Sequence, residues 1–561
     1  MALPDDQLRA LLLNANLIDE AKLNDISRFA VNSELTLDKA LLQKEAIPQD
    51  KLAGLIGEYY KVPVVFLSQL NIPQEVINII PERFARKHKI IPFERGPEAI
   101  KVAMLSPDRT DLLTALAKKT GSKIEVYFAL STEITNALRA YEKDLQKAID
   151  DLLKQDIWAS NNALEDPPVA KIVDLLIDTA YQERASDIHI EPQENSTLTR
   201  FRVDGILRDA LSAPKILHDR IITRLKVLSS LRTDEHLSAQ DGKMRVDLEE
   251  ERLDIRVSIV PVVQGEKAVL RLLSTQSRSY NFQTLGMNEA DLQKVESAYS
   301  KSYGMILSTG PTGSGKTTSI YSILKVLNTR EKNITTVEDP VEYRIKGANQ
   351  IQVNVKTNLT FANGLRSILR QDPNIIFVGE IRDDETAGIA VNAALTGHLV
   401  LSTLHTNDAA TAIPRLSDMG VEPFLVASTL NIIIAQRLVR QTCSQCKVKT
   451  TLTHDELIRN FPAELVKRVF GSGKEFIIQK GQGCKICRNT GYMGRVGLFE
   501  VLEVSKNIRK LITERADSEI IAKAAMNEGM RSMFEDGLIK VRDGVTSIEE
   551  VLRVAKSEFV S

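Results

Sequence analysis

The chain has 561 residues, 73 of them basic and 74 acidic, for a formal net charge of −1. That length allows roughly three to five domains of about 100–200 residues each, and the charge balance excludes an overall positive field that would recruit nucleic acid or anionic lipid. The start, Met1-Ala-Leu-Pro-Asp-Asp6, lacks the basic-then-apolar layout of a secretory leader, and no stretch reaches about 18 uninterrupted apolar residues; the expectation is a cytoplasmic protein, peripheral to any membrane it meets.

Over residues 1–60, Leu8, Leu11, Leu12, Leu23, Ile26, Phe29, Leu37, Leu41, Leu52, Leu55 and Ile56 recur largely at three-to-four spacing, which predicts helices. From Tyr60 to Tyr141 short apolar runs (62–66, 90–93, 100–104, 124–128) alternate with helical pattern. They predict a small α/β lobe that closes a first domain over 1–145. Residues 146–166 read as a charged helix running into an Asn/Asp/Pro linker. A second domain, 167–273, begins with a helix near 169–183. It continues with strands at 198–203 and 206–210 joined by an Asp204-Gly205 turn, a helix near 214–230, and a second hairpin set at 242–246, 252–260 and 268–273. Its strands are dense in arginine: Arg245, Arg252, Arg256 and Arg271 either face solvent or reach a phosphate across an interface.

The segment 274–440 carries the chemistry. Met305–Ser308 reads as a strand and the residues after 318 as a helix, with Gly310-Pro311-Thr312-Gly313-Ser314-Gly315-Lys316-Thr317 between them, followed by Thr318. This is a P-loop: its glycines let backbone N–H groups turn inward to meet phosphate oxygens at a helix N-terminus. Lys316 adds a point charge on the phosphates, and the Thr317 hydroxyl is placed to ligate Mg²⁺. Two further strands end in acids. One runs from Ile334 into Glu338, Asp339 and Glu342; the other, 375–378, presents Glu380 after Gly379. Ligands of an open parallel sheet lie beyond the C-terminal strand ends, so both acids should face the P-loop. One carboxylate can hold the Mg²⁺ shell while the other orients an attacking water. A third strand near 399–404 leads to His405, which either contacts phosphate or is structural.

Four cysteines follow as Cys443-x-x-Cys446 and Cys484-x-x-Cys487. Two such knuckles make a closed tetrathiolate site of the kind that holds structural Zn²⁺. The long gap predicts a separate helical lobe over 447–483 inside a zinc insert spanning 441–497. Residues 498–561 read as a helical tail, with Thr546-x-x-Glu549 as a capping box on the last helix.

Taken in order, GPTGSGKTTS (310–319), ITTVEDPVEY (334–343), FVGEIRDDETAGIA (377–390), TGHLVLSTLHTND (396–408) and AQRLVRQTC (435–443) resemble the secretion ATPases of type II secretion and type IV pilus assembly, the GspE/PilB-type motors. The resemblance covers about 167–561. It implies an α/β architecture: a RecA-like P-loop ATPase core preceded by a PAS-like α+β domain and a helical and α/β N-terminal domain, with the zinc insert added. It also implies ATP and Mg²⁺ as ligands, a homohexamer, and an inner-membrane platform protein and assembly complex as partners; Zn²⁺ is the expectation from the cysteines, and no nucleic acid the expectation from the charge balance. By the same resemblance Glu338 activates water, Glu380 and Thr317 hold Mg²⁺, Lys316 and His405 serve the phosphates, and Arg256 and Arg271 meet the γ-phosphate region. The insert points to extension or secretion rather than retraction. Relatives that bind cyclic di-GMP in the first domain are similar in having glycines where Arg9 and Asn16 stand here, so the expectation is no strong binding of that dinucleotide and a docking role for this domain. The rival readings are a RecA-like nucleic-acid translocase, against which the neutral charge counts, a DNA-uptake filament motor of the same family, and a scaffold that binds ATP without cleaving it.

Overall fold

A computed structural model describes residues 3–32, 36–43, 46–70, 72–97, 99–141, 145–158, 168–248, 252–273, 282–484 and 486–555. The chain separates into two compact units. One comprises 1–201, 208–244 and 257–270, and the other comprises 202–207, 245–256 and 271–561.

The first unit opens with four helices, Asp5–Asn14, Glu20–Asn32, Leu37–Gln43 and Gln49–Tyr60. The apolar residues at helical spacing converge in one core built from Leu8, Leu12, Leu23, Ile26, Phe29, Leu41, Leu52 and Ile56. Arg9 sits on this bundle bonded to Asn24 and 3.8 Å from Glu20, and Asn16 takes the left-handed conformation at φ +50°. The small lobe that follows is a three-stranded sheet of β1 (Ile90–Arg95), β2 (Ala99–Met104) and β3 (Lys123–Phe128). Its β1·β2 pair is antiparallel and β2·β3 parallel, with the helix Thr110–Thr120 as the crossover. The apolar run at 62–66 forms no strand and touches β3 through a single bridge, Val64 to Phe128. The charged helix expected ahead of the linker spans Leu145–Trp158, and 159–167 lie outside the described residues.

Six strands make the next sheet: β4 (Asp187–Pro192), β5 (Ser196–Val203), β6 (Ile206–Pro214), β7 (Gln240–Asp247), β8 (Arg252–Val262) and β9 (Gly265–Leu273), in the order β6-β5-β4-β9-β8-β7. Asp204 and Gly205 both have positive φ, +50° and +86°, the type I′ geometry that matches strand twist in a two-residue hairpin.

The second unit is built on a seven-stranded sheet. Its strands are β10 (Gly304–Thr309), β11 (Ile334–Glu338), β12 (Ala348–Gln352), β13 (Ile375–Val378), β14 (Leu399–Leu404), β15 (Leu430–Thr442) and β18 (Tyr492–Glu503). The order is β12-β11-β13-β14-β10-β15-β18, parallel throughout except for the antiparallel β15·β18 pair. Central strands covered on both faces read as continuous apolar runs, and β10, β13 and β14 are buried along their whole length. Alternate residues serve opposite faces: Leu307, Ile376, Val400 and Ile433 enter one core, and Ile306, Phe377, Leu401 and Ile434 enter the other.

Three expectations differ here. Residues 492–497, assigned to the insert, and 498–503, assigned to the tail, form β18 and complete the main sheet. The insert therefore lies between β15 and β18. It is not helical alone: an antiparallel ribbon of β16 (Lys447–Thr453) and β17 (Glu475–Gly481) flanks the helices His454–Ile458 and Ala463–Phe470. The threonines of β16 favour extended backbone, which the cysteine spacing does not reveal. Thr546 does not cap the last helix, which starts at Ile548. Its buried hydroxyl donates instead to the Arg440 carbonyl at 2.8 Å. The lobe shares one core with the C-terminal helices, in which Leu457, Phe461, Val466 and Ile478 meet Phe534, Leu538 and Val551. Among the described residues no helix is long and apolar enough to cross a membrane.

Candidate active site

The P-loop links β10 to the helix Lys316–Leu327, so the strand, the loop and the helix N-terminus stand in the arrangement that phosphate binding requires. The loop bends over a close neighbour. Gly310 has φ +142° and an added Cβ there would lie 2.5 Å from the Gln436 carbonyl oxygen; Gly315 has φ +91° and its Cβ would come within 3.0 Å of Gln436 Nε2. Only glycine meets both demands. Pro311, Thr312 and Gly313 are exposed, Thr317 and Thr318 half-buried at the helix start, and Ser314 is buried with a hydroxyl that has no hydrogen-bond partner. An orphan donor inside the cradle fits a phosphate-binding loop.

Lys316 is 8% exposed and donates to the carbonyls of Gly310 at 2.7 Å and Pro311 at 3.1 Å. Burial pulls its ammonium down to about 8, against the pull of the Glu380 carboxylate. Glu380, just past β13, also binds Arg382 at 2.7 Å, and His405 Nε2 lies 3.2 Å from its Oε2. The tips of β13 and β14 are stitched together by Ser402 donating to Val378 at 2.8 Å and Thr403 donating to Gly379 at 2.7 Å. The loop after β14 reaches β10, where the Thr309 hydroxyl donates to the Asp408 carbonyl at 3.3 Å.

Glu338, at the tip of β11, is 2% exposed. Tyr321, from the P-loop helix, donates to its Oε2, while Thr336 at 2.6 Å and Gln350 at 3.1 Å donate to Oε1. Burial pushes this carboxyl above the usual range, and the three donors work against that. Glu338 is beside Gly379 in the neighbouring strand tip, so the two acidic tips adjoin, yet its oxygens are taken up by protein donors in this conformation. Arg256 donates to the Val341 carbonyl and lies 3.7 Å from Glu342, all within the second unit. Arg271 is exposed at the end of β9.

Two residues to which the sequence analysis assigns no role enter this site. Tyr321 reads as an ordinary apolar position of an amphipathic helix, yet its hydroxyl holds Glu338. Gln436, 2% exposed on β15, bonds the P-loop itself. The signal for it was a lone amide following the apolar run 432–435.

At the far end of β15 and β18 the four cysteine sulfurs lie within 4.8 Å of one another. The Cys443–Cys484, Cys446–Cys487 and Cys484–Cys487 sulfur distances are 4.0, 3.8 and 3.6 Å. A tetrahedral Zn²⁺ with bonds near 2.3 Å spaces its sulfurs by roughly 3.8 Å. Backbone N–H groups of Gly483, Cys484 and Gly491 point at the sulfurs at 3.1–3.3 Å, as thiolate ligands require. The donor set fits zinc.

The family described as type II/IV secretion system protein matches residues 162–553, and the MshEN domain matches residues 60–148. The type IV pilus assembly ATPase PilB of Myxococcus xanthus is 37% identical over 560 residues, covering 97% of this chain and 98% of that protein. Type II secretion system protein E of Pectobacterium carotovorum subsp. carotovorum is 39% identical over 500 residues, covering 86% and 98%. Among solved structures the Legionella pneumophila ATPase DotB superposes with a TM-score of 0.52 at 22% identity, over 71% of this chain and 98% of that one, a likeness of fold alone.

Proposed function

The chain belongs to the type II/IV secretion system protein family, as an ATP-hydrolysing enzyme of that family, and from this premise we propose that it is the motor of type IV pilus extension or of pseudopilus assembly in type II secretion. The observation that carries the reading is the P-loop lysine buried against its own loop carbonyls, in a chain that aligns over 97% of its length with a relative named as a pilus assembly ATPase.

In this proposal the backbone N–H groups of 312–318 and the Lys316 ammonium hold the β- and γ-phosphates of ATP, and Lys316 gives up its loop carbonyls to do so. Thr317 and Glu380 would hold Mg²⁺, which when bound neutralises charge on the phosphates. Glu338 takes the proton of the attacking water, which requires it to leave its three donors. Arg256 exchanges the Val341–Glu342 segment for the γ-phosphate region, with Arg271 beside it, and His405 keeps Glu380 oriented. That exchange, repeated around a homohexamer, is the mechanical output, passed to an inner-membrane platform protein by a cytoplasmic ring at the membrane surface. The cysteines hold a structural Zn²⁺.

Purified Lys316→Ala should lose ATP binding, whereas Glu338→Gln should bind ATP and fail to turn it over. Parental turnover by Glu338→Gln sinks the assignment of the base, and failure of a membrane platform protein to co-purify with the intact chain counts against the client.

A further inference from the structure

We infer that Gln436 is a positioning residue for nucleotide: it holds the P-loop in its phosphate-binding shape without touching phosphate itself. The inference rests on the P-loop reading above and gives a role to a residue outside the P-loop itself, in the segment 435–443.

The Gln436 amide joins the three segments of the motif. Its Nε2 donates to the carbonyl of Ser314 in the loop at 2.8 Å. Its Oε1 accepts from Ser319 Oγ in the following helix at 2.6 Å and from Ser308 Oγ in the preceding strand at 3.5 Å. The first of these bonds has a directional consequence. A trans peptide is planar, with its C=O and N–H pointing to opposite sides. Holding the Ser314 carbonyl toward β15 therefore aims the Gly315 N–H the other way, into the cradle where a phosphate oxygen sits. The bond to Ser319 ties the same amide to the first turn of the helix, whose free N–H groups complete the nest. The loop also rests directly on this residue, as the space around Gly310 and Gly315 shows. A glutamine that only filled a core position would have no need to bond three parts of one motif, since an apolar side chain of equal volume costs less to bury.

Without the amide, the Ser314 carbonyl loses its partner and the loop samples peptide orientations that turn the Gly315 N–H away. Substrate and transition state share the loop, so the loss is uniform: KM rises and kcat changes far less. Gln436→Met keeps the length and volume and removes the hydrogen bonds. Its expected effect is a rise on the order of tenfold in the dissociation constant of a fluorescent ATP analogue and in KM for ATP, the scale of one or two hydrogen bonds. Ser319→Ala should give a smaller rise in the same direction, and the double variant should fall short of the product of the two, because both act through one amide.

Nucleotide affinity and KM equal to the parent's in folded Gln436→Met overturn the inference, and so does a lowered melting temperature with unchanged affinity, which marks a structural residue only. If Gln436→Met does not fold, Ser319→Ala decides alone, unchanged KM being the overturning result. Lys316→Ala run alongside separates the two levels: nucleotide binding retained there undoes the P-loop reading, whereas binding lost there and intact in Gln436→Met undoes only this assignment.

Discussion

Raising the pH from about 7 to about 9 should weaken ATP binding by way of Lys316. Burial holds its ammonium at about 8 in the nucleotide-free protein, with Glu380 pulling the other way. A triphosphate beside it favours the charged form and restores it to the ordinary lysine range, near 10.4, or above. The nucleotide-bound protein therefore carries more protons than the free protein above pH 8, and by linkage affinity must fall as pH rises. With a free value of about 8, roughly nine-tenths of the lysine is charged at pH 7 and roughly one-tenth at pH 9, so affinity drops about tenfold and proton uptake on binding climbs from about 0.1 to about 0.9 per nucleotide. Titration calorimetry at each pH, in buffers of high and low ionisation heat, reads both quantities. Lys316→Arg supplies the control, because a guanidinium does not deprotonate in this range. Proton uptake that stays flat from pH 7 to 9, or that persists in Lys316→Arg, refutes the reasoning.

Tyr321→Phe removes one donor that keeps the Glu338 carboxyl from rising further. A base must be ionised to work, so the acid limb of the kcat profile should move to higher pH; a limb that stays in place excludes the contact as a tuning device. Glu550 sits buried at the end of the main sheet, where burial would raise its carboxyl but Arg553 and Arg440, each at 2.7 Å, prevail and hold it at about 2. Its stabilising effect is therefore present above the unfolded value near 4.3 and lost as pH falls toward 2, and Glu550→Gln should cost about 3 kcal/mol at pH 7, measured by urea unfolding, by leaving Arg440 without its charged partner. The gap between parent and variant should narrow below pH 4.5; a constant gap contradicts the charge argument. Metal analysis should find one zinc per chain, released by a thiol-modifying reagent, and Cys484→Ser should abolish it and lower the melting temperature of the cysteine lobe.

The nucleotide chemistry was legible because its signals are local. A P-loop needs its glycines, its lysine and its flanking strand and helix within one short window, and an acid at a strand tip shows as a carboxylate ending an apolar run. What escaped depends on pairing between distant segments. β18 could not be joined to the sheet from sequence, because its partner β15 ends at Thr442 and the whole cysteine lobe intervenes. The Thr546-x-x-Glu549 spacing fits a cap, yet the helix begins two residues after Thr546, since the hydroxyl is claimed by Arg440 across the sheet. The sequence places Glu338 at a strand tip but does not show its confinement by Tyr321, Thr336 and Gln350, which come from three separate elements. Gln436 escaped for the same reason: one amide in a strand does not announce which loop lies over it.

The chain departs from the sheet at Thr442 and rejoins it at Tyr492, and these two residues face each other across β15·β18. Everything between is a cassette hung on one hairpin end. A short turn could splice that end closed and leave the strand register untouched, so ancestry can add or discard the cassette without rebuilding the catalytic sheet. Its removal would uncover the face of Phe534, Leu538 and Val551 and leave Glu535 and Glu549 without Arg468 and Lys480, so a shortened chain must repaint that face with polar side chains to remain soluble.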